Sequence, residues 1–168
     1  TFHGTYNFKG YLKKLYNSVM LRMNGTIAIS NFIHDHIKKN YSFKKNTIHT
    51  IERGIDLNFF DPKSISNDDI KKAIKKYNLK EDSIKILLPA RVTEWKGHLI
   101  LVDAVSQLFK KKILNIEVLF FGPDQNKLLK EKIENSIRQK NLQHIIKFYG
   151  STDKMNLIYA LSDIAISS

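Results

Sequence analysis

No cysteine occurs in this chain. That excludes disulfides and thiolate metal sites, and it fits a reducing compartment, so the expected localisation is cytoplasmic. No run of about 18 apolar residues exists either, and a membrane-spanning helix needs one. A starting methionine, a basic-then-apolar leader and a small-residue cleavage site are all missing. Thr1 reads as a strand-to-loop junction and Asp163–Ser168 as a strand with nothing after it. The sequence is therefore expected to be cut at both ends. No strand is followed by Gly-x-Gly-x-x-Gly, which argues against a dinucleotide-dependent dehydrogenase. Internal repeats and low-complexity tracts are absent too.

Acids are scarce: 16 Asp and Glu stand against 28 Lys and Arg, a formal charge of +12. Such a balance suits an anionic partner. AT-rich codon usage explains it as well, because Lys, Ile and Asn are all abundant. Nucleic acid is the less suitable partner. Arginine appears only as Arg22, Arg53, Arg91 and Arg138, and the aromatics fall within apolar segments rather than along a basic stripe. An anionic membrane surface remains as a partner, which would place the protein peripherally on the inner face of the cytoplasmic membrane.

What is present is a rhythm of strands and helices. Leu12 to Met20 has helical spacing, Gly25–Ser30 reads as a buried strand, and Ser30 as the cap of a helix to about Asn40. Thr47–Ile51 is a strand that ends in the turn Arg53–Asp56. Pro62 marks a connector, and Asp68–Tyr77 is a Lys-rich helix. From Ile84 the alternation is regular. Strands are expected at Ile84–Leu88, Ile116–Phe121, Ile145–Tyr149 and Asp163–Ser168. Helices are expected from about His98 to Lys111, after Asp124 to about Lys140, and from a cap at Asp153 to about Leu161. This is an α/β pattern with parallel sheets. Ligands in such sheets lie beyond the carboxyl ends of the strands. The loops after Phe2, Ile51, Leu88, Phe121 and Tyr149 are then the ones to watch.

The loop after Leu88 carries Arg91 and Lys96, with Gly97 opening the next helix. A diphosphate needs positive charge, directional donors and a helix N-terminus it can approach. Arg91 supplies a planar fork, Lys96 a compact charge, and Gly97 leaves room for close approach. A solvated turn with two incidental cations fits the spacing too. The histidines are weaker signals. His34 and His36 point to different sides of one helix, while His49 and His98 read as packed or solvated. Glu94 reads as a turn carboxylate that offsets nearby charge.

Pro89-Ala90-Arg91, Val92 to Trp95, then Lys96-Gly97-His98 resembles the donor-domain signature of glycosyltransferase family four, the "group 1" retaining enzymes. The Trp95 form is similar to bacterial lipopolysaccharide and surface-polysaccharide transferases. Ile27-Ala28-Ile29-Ser30, Ile51 to Asp56 with Phe60 and Pro62 behind, Phe120 to Asp124, Phe148 to Gly150 and Tyr159 to Asp163 resemble further family segments in the same order. Arg53 stands where the family usually has Asn.

The resemblance implies a GT-B fold of two Rossmann-like domains, each present in part. Residues 1–55 would be the end of the first, acceptor-side domain. Residues 56–168 would begin the second, which binds the nucleotide sugar. It implies transfer of a sugar from a nucleoside diphosphate sugar to a glycan or lipid-linked acceptor, with retention. No cofactor and no metal are expected. By the resemblance Arg91, Lys96 and Gly97 bind the donor diphosphate, His3 lies at the transferring sugar, and Gly4, Gly54, Gly122 and Gly150 belong to cleft or nucleotide loops. The family's acidic pair is expected beyond Ser168, and these 168 residues alone are expected to be inactive. A non-catalytic sugar-nucleotide-binding protein of the same fold remains an alternative.

Overall fold

The computed structural model describes residues 1–6, 10–42 and 48–167. They divide into two compact units, Thr1–Ile55 and Asp56–Ser168.

The first unit is built on parallel strands. β1 (Thr26–Ala28) pairs in register with β2 (Ile48–Thr50), and Phe2 bridges to Ala28 from the other side. Thr47, expected in β2, lies outside the described residues, as does Ser168 at the far end. Helix α1 (Tyr11–Ser18) precedes β1, and α2 (Asn31–Asn40) connects β1 to β2. Ser30 caps α2, its hydroxyl accepting from the Ile33 N–H at 3.3 Å. Ile33 and Ile37 stand four apart on one face of α2, and they bury against Phe2, Leu21, Ala28 and Tyr41. Helix α1 is oriented differently. It buries Asn17 and turns Leu12, Leu15 and Tyr16 outward, and Val19, just beyond its end, is exposed as well.

The second unit is a three-layer sandwich. Its four parallel strands run in the order β5-β4-β3-β6, with β3 at Ile84–Pro89, β4 at Ile116–Phe121, β5 at Ile146–Gly150 and β6 at Ile164–Ala165. Alternation along the strands decides which residue meets which layer. Ile86, Leu88, Val118 and Phe120 face α4 (His98–Lys110) and α5 (Lys127–Gln139), meeting Val102, Val105, Ile133 and Ile137. Leu87, Leu119 and Phe121 face the other way, toward Ala73 of α3 (Asn67–Lys76), Ile158 of α6 (Met155–Ala160) and Leu161. β4 is buried along its whole length, which is why Ile116–Phe121 reads as a nearly unbroken apolar run.

The one polar residue in that run, Glu117, is satisfied inside. It accepts from the Ser83 hydroxyl at 2.6 Å and the Lys80 N–H at 2.8 Å. The same buried cluster receives Lys85, whose ammonium donates to the Ser83 carbonyl at 2.8 Å and the Glu81 carbonyl at 3.1 Å. It closes the end of the sheet away from the loops discussed below.

One expected cap is not formed. Asp153 does not cap α6; the helix begins at Met155 after Lys154, without a side-chain cap. The nearby hydroxyl of Thr152 takes the Lys154 N–H at 3.1 Å instead, which leaves Asp153 out of position. Ser66 does cap α3, accepting from the Asp69 N–H at 3.1 Å, and a hydrogen bond from its hydroxyl helps hold the Asp69 carboxyl below its ordinary value. Among the described residues no helix is long and apolar enough to cross a membrane.

Candidate functional site

The carboxyl ends of β3, β4 and β5 are stitched into one platform. The Ala90 N–H donates to the Phe121 carbonyl at 2.8 Å, Val92 N–H to the Pro123 carbonyl at 3.1 Å, and Gly122 N–H to the Gly150 carbonyl at 2.8 Å. The close approach depends on Gly122. A Cβ added there would sit 2.1 Å from the Ala90 carbonyl oxygen and 2.8 Å from the Arg91 nitrogen. No side chain fits, so the glycine expected on a cleft loop is first of all the bearing on which the Ala90–Arg91 peptide rests.

Arg91 leaves this platform as an exposed side chain. It lines a pocket of about 350 Å³ with Phe60, Gly122, Thr152, Met155 and Tyr159. Phe60 and Tyr159 meet edge to face, their centroids 6.0 Å apart, and Phe59 packs on Phe60 in the same way at 5.0 Å. The pocket therefore has an apolar, aromatic wall and a cation at its rim. The Arg91 guanidinium also lies 6.0 Å from the centre of the Trp95 ring, a cation–π distance that limits where the fork can point.

Lys96 stands on the same loop but not on the lining of that pocket. It ends the short 3₁₀ turn Glu94–Lys96, where its N–H donates to the Thr93 carbonyl at 3.1 Å. Gly97 follows in the left-handed region, at φ 67°, and opens α4 with no side-chain cap. That conformation is by itself a reason for glycine, before any ligand is considered. Glu94 is exposed in the turn.

His98, next in sequence, is fully enclosed. Its ring meets Phe120 edge-on at 4.9 Å and stacks on Phe148 at 6.3 Å. Neither ring nitrogen makes a well-aligned hydrogen bond. Burial holds the ring below the ordinary histidine value, and the nearby Ala90 backbone opposes this only in part. His98 is thus a neutral packing element under the loop. Tyr149, near the carboxyl end of β5, is another perturbed group in this unit. Burial, the Glu117 carboxylate and Tyr77 push its phenol up to about 12, and its hydroxyl donates to the Tyr77 carbonyl at 3.2 Å.

In the first unit the strand ends carry His3 with Gly4, and Arg53 with Gly54. Their backbones differ from the glycines above. Neither Gly4 nor Gly54 has a left-handed φ, and a Cβ at either would meet nothing within 4 Å. His3 and Arg53, fifty residues apart in sequence, are in contact: Arg53 Nη2 lies 3.1 Å from His3 Nδ1. His34 bonds the Thr50 hydroxyl through Nδ1 at 2.8 Å. His36 packs against Tyr41, and His49 is exposed on β2. Among the described residues no three acidic or histidine side chains gather in a way that could hold a metal ion.

Sequence reasoning passed over Phe60, Thr152 and Tyr159 as site residues, and it left Arg53 without a role. Phe60 and Tyr159 belonged to quoted motifs, but nothing in their spacing says that a connector residue and a helix residue a hundred positions later share a wall.

Comparison with known proteins assigns the class. The sequence matches the family profile "Glycosyl transferases group 1" over residues 69–168, and "Glycosyltransferase Family 4" over residues 1–59. The chain belongs to the group 1 glycosyltransferases. A glycosyltransferase from Rickettsia africae superposes with a TM-score of 0.86 at 35% identity, covering 99% of this chain and 43% of that one. Anabaena HepE, solved in complex with UDP and glucose, gives 0.81 at 18% identity, with 94% and 41% covered. WaaG, a glycosyltransferase involved in lipopolysaccharide biosynthesis, gives 0.72 at 13% identity, with 95% and 45% covered. The chain thus spans less than half the length of each. Its fold is of the GT-B type, with two Rossmann-like parallel sheets. No functionally curated protein matches the sequence.

Proposed function

We propose that the protein carrying this chain transfers a sugar from a nucleoside diphosphate sugar to a glycan or lipid-linked acceptor, with retention, in the synthesis of a cell-surface polysaccharide or lipopolysaccharide. One observation carries the donor half of this reading: Arg91 stands at the rim of a pocket walled by Phe60 and Tyr159. A nucleoside diphosphate has a flat face for such a wall and an anionic tail for such a cation. Anabaena HepE, solved with UDP-glucose, supports the same donor class, and WaaG supports the class of product.

In this mechanism Arg91 and Lys96 bind the diphosphate, and Gly97 opens the helix that follows. As the glycosidic bond breaks, the electron pair leaves with the diphosphate oxygen. Cations aimed at that oxygen stabilise the transition state more than the ground state. They do the work that a metal ion does elsewhere, so the reading assigns no metal and no cofactor. His3 contacts the transferring sugar. Residues 1–55 act on the acceptor side and residues 56–168 on the donor side. The basic balance of +12 seats the protein on the anionic inner face of the cytoplasmic membrane, near a lipid-linked acceptor.

The test is an assay of the whole protein with UDP-, GDP- and ADP-sugars, following the anomeric configuration of product by NMR. A retained anomer supports the reading and an inverted one overturns the stereochemistry. Nucleotide binding without transfer from any donor would favour a non-catalytic binding protein.

A further inference from the structure

We infer that Arg53 is a positioning residue that holds His3 in a single tautomer, with its proton on Nε2, so that His3 meets substrate as an N–H donor and not as a base. The inference rests on the reading above for what His3 faces, but the pairing stands on its own geometry. Arg53 Nη2 lies 3.1 Å from His3 Nδ1. A guanidinium has donors only and does not lose its proton in proteins. A hydrogen bond at that distance therefore needs His3 Nδ1 to be the acceptor, and the ring proton of the neutral imidazole is left on Nε2. A doubly protonated ring would face the guanidinium with two positive charges and no acceptor.

The backbone fixes both ends of the pair. The residue before His3 is tied into the sheet, Phe2 N–H donating to the Ile27 carbonyl at 2.7 Å, and Phe2 is fully buried. The approach to Arg53 is tied in the same way, Ile51 N–H donating to the Ala28 carbonyl at 2.9 Å. The two strand ends thus flank β1 and bring a histidine and an arginine together at its carboxyl end. On the far side of each stands a glycine that the chain's own packing does not require, Gly4 and Gly54. Both side chains of the pair are exposed, which leaves Nε2–H able to reach a ligand oxygen. The group it suits is an acceptor: a sugar hydroxyl or ring oxygen.

The test reads the ring directly. The full chain, labelled with ¹⁵N-histidine, is examined by long-range ¹H–¹⁵N NMR, and His3 is assigned by the signal that disappears in His3→Gln. The expected His3 pattern is protonated Nε2 and hydrogen-bonded acceptor Nδ1. Arg53→Ala is expected to shift the Nδ1 resonance while the other histidines keep theirs, which shows that the fold is intact. Arg53→Lys, which restores a donor, should move it part of the way back. A proton on Nδ1 in the unsubstituted chain, or a His3 signal indifferent to Arg53→Ala, overturns the inference. In the whole protein, Arg53→Ala should slow transfer about tenfold, the worth of one hydrogen bond to a charged group, and add little in the His3→Gln background. Full additivity of the two substitutions also overturns it. A moved His3 signal with unchanged transfer leaves the pairing standing and removes His3 from the reaction.

Discussion

Glycine does different work at the strand ends of the two units. In the second unit the strand ends are sewn together, and Gly122 is the stitch that a side chain would tear: its added Cβ would lie 2.1 Å from a backbone oxygen. In the first unit Gly4 and Gly54 have room around them and no positive φ. One platform is glycine-rich because the chain itself needs it. The other has glycines whose added Cβ would meet nothing within 4 Å, beside a His–Arg pair that meets through its side chains on strand ends tied into the sheet. A platform locked by backbone can present Arg91 to a charge-dense group with little reorganisation. Where the last contact is between two side chains, as for His3 and Arg53, it depends on each partner separately.

The largest effect tests the backbone lock. Gly122→Ala should destabilise the chain by about 3 kcal/mol or more, because overpacking against backbone has no flexible side chain to yield. Thermal unfolding and soluble yield would measure it. A midpoint close to the unsubstituted one would mean that the Ala90–Arg91 peptide can retreat, and the contrast between the platforms would fail.

Next come the cations, in the whole protein. Arg91→Ala and Lys96→Ala should each reduce turnover roughly a hundredfold, or about 3 kcal/mol, with the fold intact. Arg91→Lys should recover only part, since the planar fork is lost. Lys110→Ala, which removes an exposed charge from the far end of α4, is the control. Equal losses at Lys96 and Lys110 would reduce the effect to general electrostatics.

Much of this was legible in the sequence. Ile84 to Phe121 alternates strand, helix and strand so regularly that β3, α4 and β4 follow from periodicity, with element ends displaced by a residue or so. The Ser30 cap was readable from its place before Asn31, because capping is local chemistry. Asp153 failed as a cap because Thr152, one position earlier, offers a competing hydroxyl. The glycine motif around Gly122 was visible, but its reason was not: the contact with Ala90 joins residues that only the sheet brings together. Phe60 with Tyr159 and His3 with Arg53 were hidden in the same way. The apolar stripe of α1 was legible too, but the outward direction of Leu12, Leu15, Tyr16 and Val19 is a tertiary fact that helical spacing does not carry.

A smaller effect concerns His98 beneath the loop that carries Arg91 and Lys96. Burial lowers its pKa from the ordinary value of 6.5, so the folded chain resists a proton that the unfolded chain accepts. Below about pH 6.5 the unfolded state then binds more protons, and stability falls as pH drops toward the lower folded value. Above it the contribution is constant. His98→Leu keeps an apolar ring contact and should flatten this acid limb in unfolding midpoints measured from pH 7 to 5. An unchanged limb would place the proton uptake on other groups.

The smallest expected effect is the most discriminating for the comparison. Gly4→Ala and Gly54→Ala should each leave stability within about 0.5 kcal/mol, the range of surface substitutions that touch no special feature. Their φ angles suit alanine, and the unfolded chain loses some freedom, which offsets any small loss. Activity in the whole protein should respond differently. If the open space beside His3 and Arg53 is where the sugar approaches, a methyl group there crowds the ligand and not the chain. KM or turnover should then change while the unfolding midpoint does not. The same substitution at Gly122 should do the reverse, lowering stability before any ligand is added. Should Gly4→Ala unfold the first unit as readily as Gly122→Ala unfolds the second, both glycines serve the fold, and the open platform loses its reason. Should Gly4→Ala and Gly54→Ala leave both stability and kinetics untouched, the space beside the His–Arg pair is not used by substrate, and the recognition of the sugar must lie elsewhere.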